Sequence, residues 1–204
     1  MKELKETRKK IEKYPKDRVG PFVVHHNSVV NSPMETGVAD PQKAIRALET
    51  AKKYTNRFGM YVTGIDRIES DGISEKWKSF SYVGAVMTIA TGVQAIAESN
   101  YGRPDESLRY LEKLSNSFSY ALPGSLYEVS PDYGMFVQEW SVYGIAKPIV
   151  YYYFGIQPEA YAKQIRIAPR MPTGWSDAVL ENLPVADNII SLKKNSYLVK
   201  QPIR

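Results

Sequence analysis

The sequence predicts a mainly α fold, built from helix hairpins and followed by a short C-terminal tail that contains strands. Two observations predict it: four helical segments alternate between amphipathic and apolar on all sides, and β-leaning pieces begin only after Ile156. An amphipathic helix keeps one face in water, whereas a helix that is apolar all round is buried. The alternation therefore predicts two consecutive antiparallel hairpins, each with an outer and an inner helix.

The two outer helices begin at recognisable signals. Asp40 followed by Pro41 opens the first, predicted over 41–58, because aspartate is a favoured N-cap and proline a favoured first helical residue. Pro104 opens the second, predicted over 104–120. In both segments the apolar residues recur at helical spacing, so each helix has one dry face and one wet face.

The two inner helices are predicted over 79–98 and 135–154. The first carries a single charged residue, Glu98, among alanine, valine, isoleucine and small polar residues. The second is rich in aromatic and aliphatic residues, and Pro148 within it is expected to kink the helix. Both helices are expected to be buried on all sides.

Composition divides the chain into a charged N-terminal arm over 1–20, helix hairpins over 21–156 and a strand-containing tail over 157–204. The net charge is +5, and residues 1–18 alone hold eight Lys and Arg against four Asp and Glu, a surplus of four. A basic surface for nucleic acid should lie along a folded face rather than in a mixed terminal arm. We therefore expect no nucleic-acid partner.

The composition also argues against membrane and metal-dependent classes. No apolar run approaches the ~20 residues that cross a bilayer, and the N-terminal residues lack the apolar stretch of a secretory signal. We expect no membrane partner, and the compartment stays open, with the cytoplasm as the default. The chain has no Cys, and the adjacent His25 and His26 cannot both face one metal ion from a regular element. No metal or cofactor is expected.

Two long loops carry the residues from which a function can be predicted. They enter the inner helices over 59–78 and 121–134, so antiparallel hairpins place both at one end of the molecule. Asp66 and Arg67 lie in the first and Glu128 in the second, with aromatic residues nearby. Aromatic rings cover the apolar faces of a sugar and carboxylates accept from its hydroxyls. Loop carboxylates also occur simply because they face water.

Longer phrases of the sequence resemble a known family. They are NSPMETGVAD, FGMYVTGIDR, SYVGAVMTIATG, LPGSLYEVSPDYGMFVQEWSVYG and the tail FGIQPEAYAKQIRIAPRMPTGWSDAVLENLPVADN. Together they resemble the C-terminal part of six-hairpin glycosidases, in particular proteins similar to glycogen debranching enzyme and its amylo-α-1,6-glucosidase domain. The resemblance implies that the chain forms part of an (α/α)6 barrel, a helical toroid.

The resemblance also implies an activity and a site. Such enzymes are inverting glycoside hydrolases, which here implies hydrolysis of an α-glucoside or a related oligo- or polysaccharide. Glu128 corresponds to the base that activates water. The residues that bind the sugar are implied to be Glu35, Asp66, Arg67, Gln138 and Trp140.

Two departures from the family leave alternatives open. The family's general acid lies in an earlier hairpin, and six hairpins require a much longer chain. We therefore expect the C-terminal part of a larger enzyme, or a chain completed by a companion chain or a second copy. The alternatives are a non-catalytic carbohydrate-binding or structural module on the same scaffold, and a polysaccharide lyase that uses Tyr127 with Arg67.

Overall fold

The computed structural model of the protein describes residues 27–62, 86–130, 134–193 and 196–200. Its helices are α1 (Asn27–Glu35), α2 (Pro41–Ala51), α3 (Thr88–Asn100), α4 (Pro104–Ser115) and α5 (Glu139–Lys147), which continues into a π-helical turn, Pro148–Tyr153. Its strands are β1 (Thr55–Asn56), β2 (Gly59–Met60), β3 (Val86–Met87), β4 (Val129–Ser130), β5 (Ile156–Glu159), β6 (Gln164–Ile167), β7 (Val179–Val185), β8 (Asn188–Lys193) and β9 (Ser196–Lys200).

The predicted mainly α toroid is wrong. The part of the chain that the structure describes has five short helices and nine strands, and its strand content is 24%. The strands pair in small antiparallel sheets, in the orders β1–β2, β3–β4, β5–β6 and β7–β8–β9. The helices are also arranged differently from a ring, because α3 lies in the centre and packs against α1, α4 and α5.

The predicted starts of the two outer helices, at Pro41 and Pro104, are confirmed, whereas their predicted ends are too late. The Asp40 carboxylate accepts a hydrogen bond of 3.0 Å from the backbone N–H of Lys43, so Asp40 is the N-cap of α2. The helix ends at Ala51 because the Asn56 side chain accepts from the backbone N–H groups of Phe58 and Gly59, at 2.8 and 3.2 Å. These bonds close the β1–β2 hairpin in place of further helical turns.

The predicted inner helices are present in shorter form. The first begins at Thr88 and is buried along nearly its whole length, as predicted, while residues 79–85 lie outside the described ranges. The second begins at Glu139 and changes from α- to π-helical geometry at Pro148, which has no N–H to donate. The proline thus disturbs the helix at the predicted position.

Helices α3 and α5 run parallel and in close contact. The hydroxyls of Thr88 and Ser141 lie 2.6 Å apart at their starts. About one turn on in each helix, a Cβ added at Gly92 or at Gly144 would lie 2.5 Å from the Cα of the other glycine. At the far end a tyrosine hydroxyl of the π-helical turn donates to the Asn100 side chain. The entrances to both helices therefore lie at one end, as the loop lengths predicted.

The C-terminal region is more than a short tail, because it has a core of its own. Phe154, Ile156, Ile190 and Leu192 are buried together between the π-helical turn and the sheets. Gly155 makes the sharp turn into β5: its φ is +68°, and a Cβ there would lie 2.1 Å from the Ala168 carbonyl. This turn folds β6 and the residues after it back against the end of α5. No helix in the described ranges is long and apolar enough to cross a membrane.

Candidate functional site

Glu128 lies beside the start of α3, in a group of loops that we call the entrance cluster (residues 117–130 and 134–141). The backbone N–H of Glu128 donates to the Met135 carbonyl at 2.8 Å, and that of Gln138 donates to the Leu126 carbonyl at 3.0 Å. The N–H of Thr88, the first residue of α3, donates to the Glu128 carbonyl at 3.2 Å. These bonds fix the Glu128 backbone against the central helix.

Glu128 is half-buried, and in the described part of the chain one backbone group donates to its carboxylate. Its Oε2 atom accepts a hydrogen bond of 3.3 Å from the N–H of Met135. Gly134 makes this approach possible, because its φ is +79° and a Cβ there would lie 2.9 Å from Oε2. Among the described residues nothing donates to Oε1.

The structure places Gln138 and Trp140 near Glu128 in the chain but in different environments. Gln138 is buried, and its side-chain oxygen accepts from the Ser141 hydroxyl at 2.7 Å. Its side chain therefore helps to join the starts of α3 and α5 through the Ser141–Thr88 contact. Trp140 lies in the first turn of α5 and is 63% exposed. Of the two, only Trp140 presents its side chain to solvent.

The entrance cluster exposes an unusual number of large apolar side chains. Those with more than two-fifths of their surface exposed are Phe118, Tyr120, Leu122, Met135, Phe136 and Trp140. Single exposed apolar residues are normal on a soluble protein, but several together mark an interaction surface. The two segments that carry them are joined, since the Glu128 N–H donates to the Met135 carbonyl at 2.8 Å.

Two of the predicted sugar-binding residues, Asp66 and Arg67, lie outside the described residues, as do His25 and His26. Tyr127, named with Arg67 for the lyase alternative, is half-buried, and its carbonyl accepts from the Thr88 hydroxyl at 2.7 Å.

Glu35 lies at the opposite end of α3 from Glu128. Its backbone carbonyl accepts from the side chain of Asn100, the last residue of α3, and its carboxylate accepts from the Tyr143 hydroxyl at 3.1 Å. A helix of 13 residues is about 20 Å long at 1.5 Å per residue. The two carboxyl groups of an inverting glycosidase lie about 6.5–9.5 Å apart. Glu35 and Glu128 therefore do not form such a pair.

The side chain of Glu35 faces a cleft of about 560 Å³, which we call the far cleft. Its lining residues come from the ends of α1, α3 and α5, from the π-helical turn and from the β5–β6 region: Glu35, Thr36, Asn100, Lys147, Tyr151, Tyr152, Gln157, Arg166, Ala168 and Arg170. Of these residues, only Glu35 is predicted from the sequence to bind a ligand. The others were missed because no short motif joins them, and only the fold brings them together.

A buried carboxyl group lies between α3 and α4. Burial raises the pKa of Glu98 to about 7, against the opposing effects of Arg103 and Gln94. Arg103 Nε lies 2.8 Å from Glu98 Oε2, and Gln94 Nε2 donates to Oε1 at 3.1 Å. Arg103 also pairs with Glu49 at the surface. Glu98 is fully buried within the packing of the central helix and lines neither the entrance cluster nor the far cleft.

No protein-family model matches the chain, and no curated protein matches it. The resemblance to six-hairpin glycosidases therefore stays a prediction from the sequence. In the ranges that the structure describes, no group of three or more His, Cys, Asp or Glu residues is arranged to hold a metal ion.

Proposed function

We propose that the protein is carbohydrate-active: it binds a glycan at the entrance cluster, and Glu128 is the base of an inverting glycoside hydrolysis. The observation that carries the proposal is the placement of the Glu128 carboxylate. One of its oxygens is held by the Met135 N–H, and the other accepts no hydrogen bond from the described residues. The loops around it expose aromatic side chains such as Trp140.

The chemistry of sugars suits this surface. A pyranose has apolar C–H faces and a rim of hydroxyl groups, so an exposed indole covers a face while a carboxylate accepts from the rim. Trp140 and Phe136 supply exposed rings, at 63% and 56%. Glu128 supplies the acceptor. The choice of an α-linked glucoside rests on the sequence resemblance alone.

In the proposed reaction Glu128 removes a proton from water as the oxygen attacks the anomeric carbon, and an acid protonates the leaving oxygen. The acid is a group other than Glu35, which lies at the opposite end of α3. We propose that it belongs to a segment or chain outside the described residues. The 204-residue chain alone should therefore turn over maltooligosaccharides slowly.

A second candidate is a glycan-binding module without catalysis. The separation of Glu35 from Glu128 favours this candidate, because only one of these two carboxylates, that of Glu128, lies at the entrance cluster. This candidate shares the binding surface with the first and differs from it in the role of Glu128.

Calorimetric titration with maltotriose and a sensitive assay of glucose release test both candidates. Trp140→Ala should weaken maltotriose binding about tenfold, since a stacked ring contributes about 1–2 kcal/mol. Tyr161→Ala is the matched control, because Tyr161 is 90% exposed and lies on the segment between β5 and β6.

Glu128→Gln separates hydrolase from module. In a hydrolase it abolishes the residual glucose release and keeps maltotriose binding within about threefold, because glutamine still accepts from hydroxyls. Glu112→Gln is its control, because Glu112 is exposed on α4 and lies outside the entrance cluster. A chain that releases no glucose at any concentration, yet binds maltotriose through Trp140, is the module. A wild-type chain that does not bind maltotriose contradicts both.

A further inference from the structure

The far cleft has the size of a small-molecule site, and its lining is mainly polar and charged. Its volume of about 560 Å³ falls within the range of about 300–1,000 Å³ that ligand pockets occupy. Three of its lining side chains are cationic (Lys147, Arg166 and Arg170), and one is anionic, Glu35. The cleft therefore carries an excess of positive charge.

The positive charges are not neutralised equally. Arg166 lies 3.8 Å from the Glu159 carboxylate and also donates to the Gln157 side chain. The guanidinium of Arg170, by contrast, has no hydrogen-bond or ion-pair partner among the described residues. It is the strongest unpaired donor in the cleft, with a planar fork suited to a carboxylate or a phosphate.

Lys147 is held in place by aromatic groups rather than by a carboxylate. Its ammonium donates to the Tyr143 hydroxyl at 2.5 Å, and lies 4.9 Å from the centre of the Tyr143 ring and 6.0 Å from that of Tyr151. The Tyr143 hydroxyl in turn donates to Glu35 at 3.1 Å. Glu35 is thus engaged through a tyrosine, and the ammonium keeps donors for a ligand.

The backbone carbonyl groups at the nearby helix ends accept hydrogen bonds from backbone N–H groups and not from these cations. The last carbonyls of α3 accept backbone N–H groups, including those of Tyr101 and Gly102. The carbonyls of Tyr152 and Tyr153 accept the backbone N–H of Arg170, at 3.2 and 3.0 Å. Since these carbonyls are satisfied by the backbone, the side chain of Arg170 remains available. The same bonds anchor Arg170 at the cleft.

We propose that the far cleft binds a small anionic molecule, whose carboxylate or phosphate contacts Lys147 and Arg170 while an apolar part packs on the Tyr151 ring. Tyr151 lines the cleft, and its hydroxyl has no partner among the described residues, so it is free to bond a polar substituent. This site is separate from the entrance cluster and does not depend on the function proposed there.

The test is titration of the full chain with four probes: inorganic phosphate, glucose 6-phosphate, glucuronate and neutral glucose, at low and high salt. We expect saturable binding of at least one anion, weakening with salt, and no comparable binding of glucose. Binding of the phosphates alone assigns a phosphorylated ligand, and binding of glucuronate alone assigns a carboxylated one.

Arg170→Gln should lower the affinity for the bound anion about tenfold, and Lys147→Gln should lower this affinity as well. The matched controls are Arg46→Gln and Lys43→Gln, which remove the same charges from exposed positions on α2 outside the cleft. Because Arg170 is exposed, its variant keeps the fold, which circular dichroism checks. The proposal is overturned if no anion binds, if glucose binds equally well, or if Arg170→Gln and Arg46→Gln bind alike.

Discussion

The two ends of α3 present opposite surfaces. At its start the Glu128 carboxylate accepts from one backbone N–H, in loops that also expose several aromatic side chains. At its far end, cations from several elements line a cleft with a single carboxylate, Glu35. The first surface is built by loops that pair with each other, whereas the second is built where helix and strand ends meet. One buried helix thus separates two surfaces suited to different ligands.

Both surfaces depend on the close packing of α3 against α5, so breaking that packing has the largest effect. Gly144→Val adds a Cβ that would lie 2.5 Å from the Cα of Gly92. We expect the free energy of unfolding to fall by about 3 kcal/mol, measured by urea denaturation, with loss of ligand binding at both ends. Gly174→Val is the control, since nothing lies within 4 Å of the Cβ position at Gly174. Equal stability of the two variants contradicts the packing argument.

Glu98 offers a way to weaken the central helix while leaving both surfaces intact. Because burial raises the pKa of Glu98 from 4.5 to about 7, the folded protein favours the protonated carboxyl. Its stabilising contribution is complete below about pH 4.5 and is lost as the pH rises to about 7. The unfolding free energy should fall by about 3 kcal/mol across this window, from 1.36 kcal/mol per pKa unit.

Urea denaturation between pH 4 and pH 8 checks this prediction. In Glu98→Gln the decrease of the unfolding free energy with rising pH should disappear. The variant should therefore be more stable than the wild-type protein at pH 8. Glu112→Gln is the matched control, because Glu112 is exposed on α4. If Glu98→Gln keeps the wild-type pH profile, Glu98 is ionised in the folded protein and held by Arg103.

A substitution at Gly134 should perturb the entrance cluster alone, with a smaller loss of stability. Gly134→Ala costs about 1 kcal/mol for its positive φ and also forces the Glu128 carboxylate to move, because the new Cβ lies 2.9 Å from Oε2. Gly124 has a similar φ of +78° with nothing within 4 Å. Gly134→Ala and its control Gly124→Ala should lose about the same unfolding free energy. Only Gly134→Ala should reduce maltotriose binding or glucose release. Anion binding at the far cleft should be unchanged in both.

The sequence predicts what depends on local chemistry. Asp40 and Pro41 determine the start of α2 through an N-cap that needs no distant partner. The apolar composition around Thr88–Asn100 likewise predicts that α3 is buried. The end of α2 could not be predicted from local chemistry. It depends on the Asn56 side chain, which accepts hydrogen bonds from two backbone N–H groups, and on the packing of Gly59 against Thr91.

The far cleft could not be predicted for a different reason. Lys147 ends a helix, and Arg170 follows a strand more than twenty residues later in the chain. They line one cleft only because Gly155 turns the chain back, which no periodicity or motif reveals. At the entrance the converse holds: Glu128 and Trp140 are close in sequence, and pairing within the loops keeps them at one end.

The most direct test of two separate sites is a nuclear magnetic resonance titration of the isotopically labelled chain, first with maltotriose and then with phosphate or glucuronate. We expect maltotriose to shift the amide signals of Thr88, Met135 and their neighbours and to leave that of Arg170 in place. The anion that binds should shift the signals of Arg170 and Lys147 and leave that of Met135 in place. If maltotriose shifts the Arg170 signal, or leaves the Met135 signal unchanged, the two sites are not separate as proposed.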